Sequence, residues 1–238
     1  MRKLLSLIFA GCMAWQVSAD IESDSLAVEG GVVEVTFIGH GTLMFEYDGR
    51  VIHVDPVGRE ADYRLLPEAD LILVTHQHSD HLDARAIRKI RRDDTIIVHN
   101  SGTDGKIDGG TVLENGESLD VFGIQIEAVP AYNTTSGRDR FHPKGRDNGY
   151  VLTMGGKRFY VAGDTEDHSE MKALEGIYVA FLPANQPYTM TPEQVVNAAK
   201  AFRPEILYPY HFGDTDVNLI ATELLGEPDI EVRIRDMK

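Results

Sequence analysis

The feature that most constrains this chain is an unbroken apolar run, ADLILV at 69–74, which leads directly into the polar segment THQHSDHLD at 75–83. A short apolar run bounded by polar residues is typical of a strand that is buried on both faces of a sheet. The sequence therefore predicts a buried strand whose C-terminal end carries a cluster of histidine and aspartate side chains. Such a cluster is either a metal site or a polar loop, and the rest of the chain has to distinguish the two.

Strand-like runs punctuated by glycine turns recur on both sides of this segment. They predict strands at 32–38, 42–47, 51–55, 95–100, 178–184 and 205–211, and a hairpin at 148–164. Helical spacing is predicted over 82–92, over a segment capped by Thr191 with Pro192 and Gln194 behind it, and from Asp216 to Gly226. The order of elements favours an α/β protein with two sheets covered by helices and polar clusters at the strand ends.

The histidine cluster has the spacing of metal ligands. His76 and His78 are two residues apart, so on an extended segment they point the same way and can share one cation. Asp80 and His81 follow where the chain turns, and there they could serve a second cation. Imidazole and carboxylate ligands suit zinc, and also manganese or iron. Further candidate ligands and supporting residues follow other predicted strands or lie on a glycine-bounded loop: Asp55, His142, Asp164 and His211.

Taken together, these motifs resemble the metallo-β-lactamase superfamily. HxHxDH follows an apolar strand, GDT stands at 163–165, and a histidine ends a late strand. More narrowly, FIGHGTLMFEYDGRVIHVDP, AYN…FHPKG, AGDT and YTMTPEQ are similar to the ascorbate-6-phosphate lactonase-like branch of metal-dependent hydrolases, over about residues 32–213. The resemblance implies a four-layer αβ/βα sandwich with the active site at one edge.

The resemblance also implies a ligand set for two divalent cations. His76 and His78 would bind the first, Asp80, His81 and His211 would bind the second, and Asp164 would bridge them. The third histidine of the first site is the departure, because VPAYN places Asn133 where many relatives have histidine. His142, nine residues later, is the expected substitute, although a first metal held without it stays open.

The expected chemistry is hydrolysis. Two bridged cations would generate a metal-bound hydroxide that attacks a carbonyl or phosphoryl centre, with Asp80 and Asp164 as catalytic carboxylates that orient it and take up its proton. A small-molecule lactone, cyclic ester or phosphodiester is the expected substrate. A periplasmic β-lactam hydrolase and a non-catalytic metal-binding protein are the alternatives. Several further residues are expected behind the ligands or near the substrate: His40, Asp55, Asn133, Lys144 and Tyr188.

The first 19 residues have the layout of a secretory signal, with Arg2 and Lys3, an apolar run, and a small-residue cleavage site after Ala19. We therefore expect a signal peptide at 1–19, a linker at 20–31 and one hydrolase domain at 32–238, in a periplasmic or secreted protein without stable membrane insertion after cleavage. The alternative is a lipoprotein anchored through Cys12, the only cysteine.

The charge balance excludes one class of partner. The chain has a formal net charge of −15, and removal of Arg2 and Lys3 leaves 21 basic and 38 acidic side chains, a charge of −17. Such a surface repels phosphate backbones, so no nucleic-acid partner is expected. The sequence leaves the oligomeric state open.

Overall fold

The computed structural model describes residues 21–238 as two seven-stranded sheets, four α-helices and one short 3₁₀ helix at Ser101–Thr103. The first sheet contains, in spatial order, β1 (Ser23–Val28), β2 (Gly31–Gly39), β3 (Thr42–Tyr47), β4 (Arg50–Val54), β5 (Ala69–Val74), β6 (Arg91–His99) and β7 (Thr111–Val112). The second contains β8 (Ser118–Val121), β9 (Ile124–Ala131), β10 (Asp147–Met154), β11 (Lys157–Val161), β12 (Ile177–Pro183), β13 (Ile206–Tyr210) and β14 (Glu231–Val232). The helices are α1 (Ala84–Ile90), α2 (Ser169–Lys172), α3 (Pro192–Phe202) and α4 (Asn218–Glu223).

The two sheets share one design. Strands β1 to β4 and strands β8 to β11 are antiparallel meanders. Strands β4 to β7 and β11 to β14 are parallel. Parallel strands all end at the same edge of their sheet, so the loops that follow them collect there. This topology decides where the polar strand-end residues meet.

Strand β5 shows why its sequence is apolar at every position. Leu71 and Leu73 face the core between the sheets, whereas Ile72 and Val74 belong to a second apolar cluster that includes Ile87 of α1. Aromatic side chains join the sheets across the core, for example Phe45 of β3 with Phe181 of β12 at 5.7 Å between ring centroids. On the far side of the second sheet, Tyr160 contacts Phe202 of α3. The predicted four-layer αβ/βα sandwich is confirmed.

Local signals and tertiary contacts disagree at three places. The predicted linker at 20–31 is wrong, because Ser23–Val28 form edge strand β1 paired with β2. The predicted helix 82–92 ends at Ile90, since Thr95 Oγ1 donates to the Ala69 carbonyl at 2.6 Å and Arg92 pairs with Asp70, which places 91–94 in β6. The predicted last helix, 216–226, is shorter and spans Asn218–Glu223, although the Asn218 amide donates to Asp216 Oδ1 at 3.1 Å.

The α3 cap has the predicted form. Thr191 Oγ1 accepts a hydrogen bond from the Gln194 amide, and Gln194 Oε1 accepts one from the Thr191 amide. The expected signal peptide and Cys12 lie outside the described residues. Between residues 21 and 238, no helix has the length and apolar character required to cross a bilayer.

Candidate metal centre

The candidate ligands lie at the C-terminal edge of the parallel strands. His76, His78, Asp80 and His81 follow β5, Asp164 follows β11, and His211 follows β13 directly. Asp55 follows β4 in the same way, and His142 comes from the loop between β9 and β10. Residues that are 135 positions apart in sequence, such as His76 and His211, therefore reach one place.

The first group of potential ligands is His76, His78, His142 and Asp164. His76 Nε2 lies 3.1 Å from His78 Nδ1 and 3.9 Å from Asp164 Oδ2. His142 Nε2 lies 3.4 Å from the same Asp164 oxygen. All four ligand atoms lie within 4.8 Å of one another. Three nitrogen donors and one oxygen donor converge here, a set that suits zinc.

The second group lies on the other side of Asp164. Its Oδ1 is 3.3 Å from His81 Nε2 and 3.5 Å from His211 Nε2. Asp80 Oδ2 approaches the same His211 nitrogen at 3.6 Å. The Asp164 carboxylate therefore directs one oxygen to each group.

These contacts fit metal ligation better than direct hydrogen bonding. Two ligands about 2.0–2.1 Å from one tetrahedral zinc ion stand roughly 3.4 Å apart, whereas a charge-assisted N–H···O bond is about 2.7–2.9 Å long. Most of the nitrogen–oxygen separations above have the longer value. His81 Nε2, Asp164 Oδ1 and His211 Nε2 are moreover buried without a hydrogen-bond partner. Orphaned buried polar atoms are costly in a folded protein, and a shared cation would satisfy all three.

A buried carboxylate orients two of the histidines. Asp55 Oδ2 accepts hydrogen bonds from His81 Nδ1 at 2.7 Å and from Thr75 Oγ1 at 2.6 Å. Thr75 Oγ1 in turn lies 2.9 Å from His76 Nδ1. Since the threonine proton is used on Asp55, its oxygen accepts the proton of His76 Nδ1. In their neutral forms, both imidazoles therefore present a bare Nε2 to the site, as metal ligation requires.

A second carboxylate supports His142. Asp147 is fully buried, and its Oδ2 accepts from His142 Nδ1 at 3.0 Å. Arg146 donates to both oxygens of Asp147, from Nε at 2.7 Å and from an Nη at 2.8 Å. The sequence analysis missed this carboxylate, although its position five residues after His142 on the same loop was an available signal.

The charges of the cluster favour a cation. Burial raises the pKa of Asp164, but the imidazoles of His211, His81 and His142 outweigh burial and hold that pKa well below its usual range. Burial lowers the pKa of His81, yet Asp164 and Asp55 outweigh it and hold the pKa well above its usual value. Burial, together with His81, keeps the pKa of His76 well below its usual value. Two buried carboxylates, Asp55 and Asp164, thus flank His81, and a cation beside them would offset their negative charge.

Tight backbone turns set the ring positions. Asp55 and His211 have φ of 46°, in the left-handed region that costs a non-glycine residue about 1–3 kcal/mol. Gly41 cannot be replaced without movement, because a Cβ there would stand 2.6 Å from His81 Cε1. One candidate ligand, His211, and one supporting residue, Asp55, are therefore held in a strained backbone conformation.

His142 and Asn133 have different positions in the structure. His142 joins the first group. Asn133 Nδ2 instead donates to the Tyr188 carbonyl at 2.6 Å and to the Arg138 carbonyl at 3.2 Å. The Asn133 backbone N–H donates to the His142 backbone carbonyl at 2.8 Å. This hydrogen bond closes the loop and directs the His142 ring into the site. The first group therefore has three imidazoles, and His142 supplies the third of them.

A cavity of about 620 Å³ opens over the ligands. Its wall contains the predicted residues His40 and Tyr188, and Tyr188 packs edge-on against Phe141 at 5.0 Å. Lys144 is not in the wall; it is paired with Glu170 and lies 3.2 Å from the Tyr132 hydroxyl. Lining residues that sequence analysis missed come from loops without a local signal: Arg59, Glu60, Phe141, Asn185, Gly213 and Lys238.

Comparison with known proteins agrees with this geometry. Residues 34–211 match the family described as the beta-lactamase superfamily domain. The chain belongs to the metallo-β-lactamase superfamily. It is 31% identical over 194 residues to a UPF0173 metal-dependent hydrolase of Thermococcus kodakarensis, covering 76% of this chain and 85% of the relative. A UPF0173 metal-dependent hydrolase of Methanocorpusculum labreanum is 34% identical over 188 residues, covering 75% and 83% of the two chains.

Two solved structures are similar to this chain over most of its length. One is the crystal structure of a protein of Parabacteroides distasonis assigned as a metal-dependent hydrolase, with 50% identity and a TM-score of 0.89 over 92% of this chain and 100% of that one. The other is Igni18, a metallo hydrolase of Ignicoccus hospitalis, with 28% identity and a TM-score of 0.71 over 86% and 95%. The predicted enzyme class, a metal-dependent hydrolase of the metallo-β-lactamase superfamily, is confirmed.

Proposed function

We propose that the protein is a dinuclear hydrolase of a small-molecule lactone, cyclic ester or phosphodiester, with zinc as the preferred metal and manganese or iron as alternatives. The observation that carries this proposal is the position of Asp164. Its Oδ1 faces His81 and His211, while its Oδ2 faces His142 and His76. A carboxylate with one oxygen in each of two ligand groups is the arrangement of a bridge between two cations.

Divalent cations at these positions would lower the pKa of a bound water molecule towards neutrality. They would also stabilise the negative charge that develops on the substrate. The protein groups supply orientation. Asp80 is the most exposed carboxylate of the cluster, with 32% side-chain exposure. Burial raises its pKa, but His211 and His40 outweigh burial and hold the pKa well below its usual range. Asp80 is therefore ionised at neutral pH and can accept a hydrogen bond from an attacking water.

The cavity supports a small substrate. Its volume of about 620 Å³ lies within the range of about 300–1,000 Å³ that is usual for small-molecule sites. Phe141 and Tyr188 give it one apolar wall, while Asn185 and Lys238 add polar groups. The formal charge of −15 disfavours a nucleic-acid substrate.

The test is metal content and turnover of the purified protein, measured on chromogenic lactone, phosphodiester and β-lactam substrates. We expect two metal ions per chain and metal-dependent turnover of a lactone or phosphodiester, both reduced in His78→Ala and Asp164→Asn. Asp70→Asn is the matched control, since Asp70 is also buried but binds Arg50 and Arg92 away from the site. A single metal ion per chain, or turnover that survives Asp164→Asn, would contradict the dinuclear mechanism.

Export belongs to the same proposal and rests on the signal-like sequence of residues 1–19. The expected product is a periplasmic or secreted chain that begins at Asp20. Intact-mass measurement of protein from the periplasmic fraction of an expressing bacterium tests this. A lipidated chain that starts at Cys12 would support the lipoprotein alternative, and a full-length chain in the cytoplasm would refute export.

A further inference from the structure

His40 lies at the rim of the second ligand group, beyond the set that the superfamily resemblance implies. Its Nε2 is 3.5 Å from Asp80 Oδ2, and its ring centroid is 3.8 Å from that of His211. His40, Asp80 and His211 form a third group of converging ligand atoms. The question is what the His40 imidazole does there.

The other ring nitrogen of His40 decides its tautomer. Nδ1 lies 3.0 Å from the main-chain oxygen of Lys238. A main-chain oxygen accepts hydrogen bonds, so Nδ1 carries the proton and donates it. In the neutral imidazole Nε2 is then a bare lone pair, directed towards Asp80 Oδ2 at 3.5 Å. Two electron-rich atoms that face each other repel unless a cation lies between them.

The distances favour a shared cation over a hydrogen bond. The His40–Asp80 contact of 3.5 Å and the His211–Asp80 contact of 3.6 Å fit the roughly 3.0–3.6 Å between adjacent ligands that each lie about 2.1 Å from one five-coordinate ion. A hydrogen bond from a protonated His40 to Asp80 would be about 2.7–2.9 Å long. His211 Nε2 is also buried without a partner.

The backbone holds the ring in this place under strain. His40 has a φ of 51°, between Gly39 and Gly41, although glycine would occupy that conformation without cost. The His40 carbonyl accepts from the His211 amide at 3.0 Å, which ties the two histidines together. A strained residue that the surrounding structure over-determines is a candidate for function.

We propose that His40 is a protein ligand of the second metal ion through Nε2, in addition to Asp80, Asp164, His81 and His211. This inference rests on the proposed dinuclear function and extends it. A further imidazole makes the second site richer in protein ligands than the first. The first site therefore keeps the more open coordination, and the second-site affinity depends on the GHG turn at 39–41.

The test is zinc affinity of the metal-free full chain, measured by competition with a chromogenic chelator. His40→Asn removes the imidazole but keeps a residue that tolerates the left-handed conformation. We expect wild type to bind two zinc ions and His40→Asn to bind the second at least tenfold more weakly, with the first unchanged. His99→Asn is the control, because His99 is a buried histidine that hydrogen-bonds Thr103 outside the three groups. His40→Gly serves if the asparagine variant does not fold.

A spectroscopic measurement separates ligation from an indirect effect. In protein labelled with ¹⁵N-histidine and loaded with ¹¹³Cd²⁺, ligation predicts a cadmium–nitrogen coupling that disappears in His40→Asn. Unchanged affinity for both zinc ions in His40→Asn overturns the inference, as does weaker binding without that coupling in wild type. If wild type itself binds fewer than two ions, the dinuclear proposal fails. If wild type and His40→Asn both bind two ions equally, only the role of His40 fails.

Discussion

Replacing Asp55 by asparagine tests how the fold orients the metal ligands. Asp55 is fully buried and accepts three hydrogen bonds, from the Thr75 amide, the Thr75 hydroxyl and His81 Nδ1. Its φ of 46° suits asparagine, so the backbone is preserved. The asparagine side chain can keep its oxygen towards the Thr75 backbone amide, but its NH₂ group then faces His81 Nδ1–H and the Thr75 hydroxyl. All three of these groups are hydrogen-bond donors, so the two hydrogen bonds to Asp55 Oδ2 are lost.

The expected effect has two parts. The lost charge-assisted bond between Asp55 and His81 contributes about 1.5–3 kcal/mol to the free energy of unfolding. His81 can regain a hydrogen bond only by moving its proton from Nδ1 to Nε2. Thr75 can regain one only by turning its hydroxyl proton towards His76 Nδ1, which leaves the His76 proton on Nε2. In both histidines, the Nε2 lone pair that would bind metal is then replaced by an N–H group. Loss of such a supporting residue typically lowers metal affinity 10–100-fold, and here we expect this at both sites.

The measurements are zinc competition with a chelator and urea unfolding of the metal-free protein. Asp70→Asn is the control, because Asp70 accepts from Arg50, Arg92 and the Val51 amide at the opposite end of β5. It should lower stability without changing zinc affinity. If Asp55→Asn binds zinc as tightly as wild type, the orientation argument is wrong.

Three further predictions concern single positions. Gly41→Ala should weaken zinc binding at the second site at least tenfold with little change at the first, since the added Cβ would stand 2.6 Å from His81 Cε1. Equal loss of affinity at both sites in the chelator assay would indicate general unfolding instead. Glu166→Gln should weaken zinc binding at the first site, because Glu166 Oε2 accepts hydrogen bonds from the Thr134 and Thr135 backbone amides at the start of the segment that carries His142. Unchanged zinc affinity at the first site would exclude a role of Glu166 in positioning His142. Burial lowers the pKa of His53 from 6.5 to about 4, so its contribution to stability is complete above pH 6.5 and is lost as pH falls towards 4. The free energy of unfolding of wild type relative to His53→Gln should therefore fall by up to about 3 kcal/mol over that interval, and a constant difference in urea titrations would refute the assignment.

The sequence alone predicted the parts whose signals are local. The apolar run at 69–74, the Thr191 capping box and the hairpin at 148–164 all have the form expected from short-range patterns. The type of chemistry was also readable, because imidazole and carboxylate groups at HxHxDH spacing have few other uses. Periodicity and capping depend on neighbours within a few residues, so they survive without knowledge of the fold.

Tertiary structure decided which side chains meet. The pairing of β1 with β2 turned an expected linker into a strand, and contacts of Arg92 with Asp70 ended α1 early. Closure of the 133–142 loop places His142 beside Asp164, whereas the Asn133 side chain donates to the Tyr188 carbonyl. The contact of His40 with the Lys238 main-chain oxygen joins residues 198 positions apart. Such meetings depend on the order of parallel strands and on long-range hydrogen bonds, which no local pattern of residues encodes.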